Sequence, residues 1–187
     1  HTKYEDYTHY VPLKAKALKK FVANLATEYS NLCDFVFAPS KSIVDLIRKR
    51  GVESRVEVVP TGIYNDRFAK GDGIGFRQKH KIKQKALLVG TVGRVAPEKN
   101  IEFLIRAVIS FLKKNDQAEF IIVGSGPSLD LMKDKFKQEN LFSRLHCMGS
   151  LSGQELVDAY HCMDVFVFAS HSETQGLVLV EAMATGA

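Results

Sequence analysis

The stretch ALLVGTVGRVAPEKNIEFLIRAVISFLKKNDQAEFIIVG, residues 86–124, carries the pattern that decides the fold. A nearly unbroken apolar run ends at Val92 and Gly93, and a short polar turn with one proline follows. Ile101, Leu104, Ile105 and Val108 then recur at three- and four-residue spacing, and a second apolar run, EFIIVG, ends on glycine. Short runs apolar on both faces, joined by an amphipathic helix, predict parallel strands with a crossover helix. The alternation continues with a helix over 128–138, the strand RLHCMG (144–149), a helix over 153–160 and the strand DVFVFA (164–169). A last helix is expected from near Gly176. The predicted class is α/β, a Rossmann-like parallel sheet with helices on both faces.

Upstream, Leu18, Phe21, Val22, Leu25, Ala26, Tyr29 and Leu32 predict a helix over 13–32, with Lys14, Lys16, Lys19 and Lys20 in its first turns. DFVFAPS (34–40) reads as a buried strand and turn, 41–50 as a helix stopped by Gly51, and RVEVVP (55–60) as a strand ended by Pro60. Residues 61–85 are rich in Gly, Lys and Asn and hold no strong strand; Arg77, Lys79, Lys81, Lys83 and Lys85 form a basic run without an acid. They predict a connection carrying one short helix. The expected organisation is a first domain through residue 60, a hinge and linker over 61–85, and a second, incomplete domain over 86–187.

The 187 residues are 45% hydrophobic and 25% charged, an ordinary globular composition. No apolar run approaches the roughly 18 residues of a membrane span. Three scattered cysteines, Cys33, Cys147 and Cys162, form neither a disulfide framework nor a zinc pattern, which favours a reducing compartment. A net charge of +5 suits anionic partners such as phosphates or acidic lipid.

In parallel sheets, ligands bind where strands end and helices begin. After the first strand of the second domain comes GRVAPEKN (93–100), where Gly93 permits close backbone approach and Arg94 and Lys99 bracket a helix start: the makings of an anion site. A helix-start proline with surface cations explains the same letters equally well. After the next strand, GSGPS (124–128) places Gly126 and Pro127 before a helix; tight turns need glycine in any case. In MGSLS (148–152), Ser152 with Glu155 reads as a capping box. The closing HSETQGLVLVEAMATGA puts Glu173 before a helix and Glu181 inside it, at most ~12 Å apart along a helix axis. That is the reach from a nucleotide ribose to the hexose of a folded sugar nucleotide, with the N–H groups of Gln175, Gly176 and Leu177 facing the diphosphate between. The helix dipole alone accounts for Glu173, whereas Glu181 stands among apolar residues where an unpaired carboxylate is costly.

These residues resemble a known family. VPTGIYNDRF (59–68) resembles the hinge of retaining glycosyltransferases of family 4, GRVAPEKN their phosphate-binding turn, GSGPS their glycine-rich turn, and ETQGLVLVE their E-x7-E motif, continued by EAMATGA. The resemblance implies the GT-B fold, two Rossmann-like domains facing a cleft, with this chain a portion of the longer two-domain enzyme: the last part of the acceptor domain, the hinge and most of the donor domain. It implies hexosyl transfer with retention from a nucleoside-diphosphate sugar, UDP-glucose above all, without a cofactor or a metal. Arg94 and Lys99 would neutralise the leaving diphosphate, Glu181 would hold the ribose and Glu173 the donor-sugar hydroxyls. HTKYEDYTHYVP resembles the stretch that bears the family's active-site histidine, here His1. With the lysine-rich helix and the SETQGL form of the last motif, the chain is similar to family members that add glucose to diacylglycerol. The acceptor implied is such a lipid or a sugar, and the location cytoplasmic, at the inner face of the cell membrane with peripheral contact to anionic lipid. The helix bearing Glu181 is expected to lack part of its support, and Glu181 to point into a cleft.

Three other readings compete. Another enzyme on the same architecture, such as a sugar-nucleotide epimerase or a phosphorylase, shares the fold, but no segment recommends a pyridoxal lysine. A non-catalytic nucleotide-sugar-binding module would keep the pocket without needing the full Arg94, Lys99, Glu173 and Glu181 set. A nucleic-acid contact through 77–85 has only Phe76 as an aromatic neighbour and no reader motif, so no nucleic-acid partner is expected.

Overall fold

The computed structural model describes residues 15–170 and 173–187, with backbone alone at Ala15, Lys16 and Lys19. The chain forms two compact units. The first spans the N-terminal residues through Gly62 together with 172–176; the second comprises Ile63–His171 and Leu177–Ala187.

The first unit contains α1 (Ala15–Asn31), β1 (Phe35–Ala38), α2 (Lys41–Lys49) and β2 (Arg55–Val58). β1 and β2 pair in parallel, Phe35 opposite Arg55 through Ala38 opposite Val58. The end of α1 is tied to the loop before β2: Asn31 Nδ2 donates to Gly51 O (3.1 Å), Glu53 N to Asn31 Oδ1 (2.8 Å) and Ser54 Oγ to Ser30 O (2.9 Å). The expected helix and strands are present, but the apolar stripe of α1 is uncovered, with Phe21, Leu25, Tyr29 and Leu32 all exposed, and β1 is not the buried strand expected, since Phe35 and Phe37 are exposed and only Ala38 is buried.

The second unit contains α3 (Asn65–Phe68), α4 (Gly73–Lys79), β3 (Leu87–Val92), α5 (Ile101–Lys114), β4 (Ala118–Val123), α6 (Leu129–Gln138), β5 (Leu145–Gly149), α7 (Gly153–His161), β6 (Val165–Phe166) and α8 (Leu177–Thr185). The four strands form a parallel sheet in the order β5-β4-β3-β6. β4, central and wholly buried, shows why: alternate side chains serve two cores. Ala118, Phe120 and Ile122 pack with α5 and α6, while Ile121 and Val123 pack with Phe76, Leu88, Ala159 and Cys162 on the opposite face. Glu119 shares that second face, and its buried carboxylate is bonded to His146 Nε2 (2.7 Å) and Lys83 Nζ (3.1 Å). Burial pushes its pKa up, but those two hydrogen bonds win and hold it below the ordinary carboxylate value.

Residues 63–85 carry two helices rather than one. Phe68 and Phe76 are buried, α3 packs on α8 and α4 on α7. Arg77 is no member of a surface basic run. Its guanidinium is 8% exposed and donates to Cys162 O (2.8 and 2.6 Å), Gln84 O (3.0 Å), Ala86 O (3.0 Å) and Asp164 Oδ2 (2.8 Å). Asp164 Oδ2 also accepts from Leu88 N (2.7 Å), so one fork fixes the starts of both β3 and β6. DVFVFA yields only the two-residue β6, which pairs with β3 at one edge of the sheet among the described residues. Replacing Arg77 by Met strands several carbonyls and should lower the unfolding free energy by about 3 kcal/mol. A urea midpoint equal to that of the unaltered protein would contradict this role.

Candidate functional site

The turns that follow β3 and β4 are hydrogen-bonded to each other and to the last residues of β4 and β5. Gly93 N donates to Val123 O (2.9 Å), Val95 N to Ser125 O (3.0 Å), Ser128 N to Val95 O (2.9 Å) and Gly124 N to Gly149 O (2.7 Å). The turns are pressed so close that a Cβ on Gly124 would stand 1.9 Å from Gly93 O, and one on Gly126 2.4 Å from Val95 O. These two glycines are therefore required by the neighbouring backbone before any ligand is considered. Gly93 differs: at φ +142° a Cβ there would meet nothing within 4 Å, so its open side is room beside the chain.

That room belongs to a cavity of about 490 Å³ at the carboxyl ends of the strands, lined by Val92, Gly93, Arg94, Ser125, Gly126 and Ser150 among others. Its volume lies within the usual range for small-molecule sites. The Ser125 and Ser150 hydroxyls are 3.0 Å apart. Larger hollows exist. One of about 670 Å³ against β3, β6 and α5 is lined by apolar side chains and offers nothing to orient a charged ligand. Another of about 580 Å³ lies between α5 and α6, where Lys113 is bonded to Glu139. Position, glycine content and the polar wall single out the first.

Of the residues expected from sequence, the cavity gathers Gly93, Arg94 and Gly126. Arg94 is half exposed, its Nε 3.8 Å from Glu98 Oε1. Lys99 sits in a 3₁₀ turn, Pro97–Lys99, that leads into α5 through Asn100 in a left-handed conformation. Pro127 and Lys99 are off the cavity wall. The E-x7-E stretch is divided between the units at Gly176 and Leu177. Glu173 and Gln175 lie in the first unit, where Glu173 Oε1 accepts from Thr174 N (3.3 Å), Ser40 Oγ donates to Thr174 O (3.4 Å) and Gln175 Nε2 donates to Thr61 Oγ1 (2.6 Å). Leu177 and Glu181 lie on α8 in the second. His1 falls outside the described residues.

Glu181 is half-buried, and its Oε2 accepts from Tyr160 Oη at 2.6 Å. Tyr160 is fully buried with Phe68, Val157 and Ala182, its ring edge-on to Phe68. Burial first, then the hydrogen bond and charge of Glu181, push the phenol's pKa well above its ordinary value. The helix bearing Glu181, α8, packs on both α3 and α7. Burial pushes the Cys162 thiol up to about 12 and also raises that of Cys147. Among the described residues no three His, Cys, Asp or Glu side chains gather as a metal site.

Sequence reasoning passed over Ser125, Ser150, Leu151, Leu156 and Tyr160. The MGSLS turn read as a helix cap, yet Ser152 makes no side-chain cap and Glu155 bonds Lys79 (2.6 Å) instead. The cost of an unpaired Glu181 was legible, but its donor stands 21 residues earlier in another helix.

Comparison with known proteins identifies the family and the fold. The profile of the family described as Glycosyl transferases group 1 matches residues 75–187, and that of Glycosyltransferase Family 4 matches 1–67. The alpha-monoglucosyldiacylglycerol synthase of Acholeplasma laidlawii is 29% identical over 98% of this chain and 49% of its own length; that of Streptococcus pneumoniae is 30% identical over 100% and 43%. The chain thus spans about half the length of the curated relatives it matches. Among solved structures, Anabaena HepE in complex with UDP-glucose superposes with a TM-score of 0.80 at 20% identity, covering 89% of this chain and 47% of that one. The fold is of GT-B type, built from parallel sheets with helices on their faces. Gly124→Ala should lower the unfolding free energy by about 3 kcal/mol through clash and strain; an unchanged denaturation midpoint would show that the turns are not packed as described.

Proposed function

Because the chain belongs to the Glycosyl transferases group 1 family, we propose that it carries the donor site of an enzyme that transfers glucose from UDP-glucose, with retention, to the hydroxyl of a diacylglycerol-type lipid. The observation that carries the donor half of this reading is the cavity at the ends of β3, β4 and β5, walled by Gly93, Arg94, Gly126 and two serine hydroxyls. The lipid half rests on the names of the two bacterial relatives. Among the described residues no helix is long and apolar enough to cross a membrane, and we place the enzyme peripherally on the inner face of an anionic membrane, through the lysines that open α1.

In the proposed reaction the bond from the sugar's anomeric carbon to the diphosphate breaks and a bond to the acceptor oxygen forms. The electron pair leaves on the diphosphate, and the proton of the acceptor hydroxyl passes to the departing diphosphate oxygen. Charge therefore accumulates on the phosphates in the transition state, and fixed cations aimed there lower the barrier. Arg94 and Lys99 take that role. The N–H groups of Gln175, Gly176 and Leu177 face the diphosphate, Glu181 accepts from the ribose hydroxyls, Glu173 from the hydroxyls of the glucose, and His1 serves the reacting centre. The protein supplies the compensating charge with its own side chains, without a metal or cofactor.

In the intact protein, Arg94→Ala and Lys99→Ala should each lower turnover about 100-fold while leaving the thermal midpoint in place. Glu181→Ala should weaken UDP binding about tenfold by calorimetry. Near-normal turnover in the two cation variants would remove the phosphate assignment, and equal UDP affinity in Glu181→Ala would remove the ribose assignment.

A further inference from the structure

Glu181 does not stand alone on α8. Its Oε2 accepts a 2.6 Å hydrogen bond from Tyr160 at the end of α7. The tyrosine is 0% exposed, and its ring is held on three sides, edge-on to Phe68 at 6.1 Å between centroids, tilted against Phe166 at 5.9 Å, and beside Ala182 of α8. A phenol so enclosed has one direction in which to point its proton, and that direction is the carboxylate.

We propose that Tyr160 is a positioning residue for the donor nucleotide: its hydroxyl fixes the Glu181 carboxylate so that Oε1 is presented to the vicinal hydroxyls of the ribose. The proposal rests on the ribose assignment of Glu181 made above. A glutamate side chain turns about three single bonds and loses rotamer freedom when a ligand fixes it. A prior hydrogen bond to one oxygen removes part of that loss before the nucleotide arrives. It also selects the oxygen: with Oε2 engaged by Tyr160, Oε1 retains both lone pairs and can accept one hydrogen bond from each of two neighbouring hydroxyls. The raised pKa of the phenol keeps it a donor throughout the neutral range. The same bond joins α7 to α8 and meets the need of a buried tyrosine for a partner, so the test must separate positioning from mere support.

The test is calorimetric titration of the intact protein with UDP and with 2′,3′-dideoxy-UDP, which lacks the hydroxyls that Glu181 is assigned. Tyr160→Phe removes one oxygen and leaves the packed ring. The expected result is a loss of about tenfold in affinity for UDP with affinity for the dideoxy nucleotide unchanged. A structural role alone would weaken both ligands equally, and that outcome overturns the proposal, as does an unaltered affinity for UDP. The double variant Tyr160→Phe/Glu181→Ala gives the answer even where the single variant is too unstable to titrate. Compared with Glu181→Ala, it should lose no further UDP affinity, and a further loss overturns the proposal. If the unaltered protein binds UDP and dideoxy-UDP equally, the ribose assignment itself fails and this inference falls with it. If the unaltered protein distinguishes them and Tyr160→Phe distinguishes them as well, only the inference fails.

Discussion

Everything at the candidate site depends on four backbone hydrogen bonds that hold the turns after β3 and β4 to each other and to the last residues of β4 and β5. Turns at the ends of parallel strands are ordinarily separate loops. Here Gly93 and Val95 follow the register of β4, and Gly124 follows Gly149, so that the two turns and the end of β5 behave as one wall. The constraint explains residues that a ligand-centred account leaves unexplained. Gly124 and Gly126 are bare because carbonyl oxygens of the neighbouring turn occupy the space a side chain would need. Once they are bare, the wall closes on one side and remains open at Gly93, and the cavity is the space left there.

The second unit positions that wall through a sheet covered on both faces, with β4 sending alternate side chains into two cores. Two charged side chains that enter those cores are well satisfied. Arg77 spends its donors on carbonyls at the starts of β3 and β6, and Glu119 is met by His146 and Lys83. These groups lie toward the strand starts, away from the cavity. Tyr160 and Glu181 form a third such pairing, one that joins α7 to α8.

The sheet was legible because its signals are local. Apolar runs of strand length, a helix of period 3.6 and glycines after each run need no knowledge of distant residues. The turn at 93–100 between β3 and α5 was legible for the same reason. What the sequence concealed was long-range. Arg77 looked like one more surface cation because its acceptors include a carbonyl 85 residues away. Ser150 and Leu151 were hidden beneath a capping pattern whose glutamate is bound to Lys79 instead. Residues 61–85 read as a connection because α3 and α4 are short, and their apolar anchors find partners distant in sequence, Phe68 in α7 and α8 and Phe76 in β3, β4 and α7. The stripe of α1 predicted the helix correctly, yet it is uncovered here, since periodicity reports an apolar face and not what meets it.

The central claim is that the wall formed by the three turns receives a nucleoside diphosphate. It is tested most directly by following backbone amide resonances of the protein as UDP is added. The account predicts saturable shifts concentrated at Gly93, Arg94, Ser125, Gly126, Ser150 and Leu151, with the α5–α6 groove unaffected. Saturation confined to that groove, or binding that leaves the three turns unshifted, would contradict it.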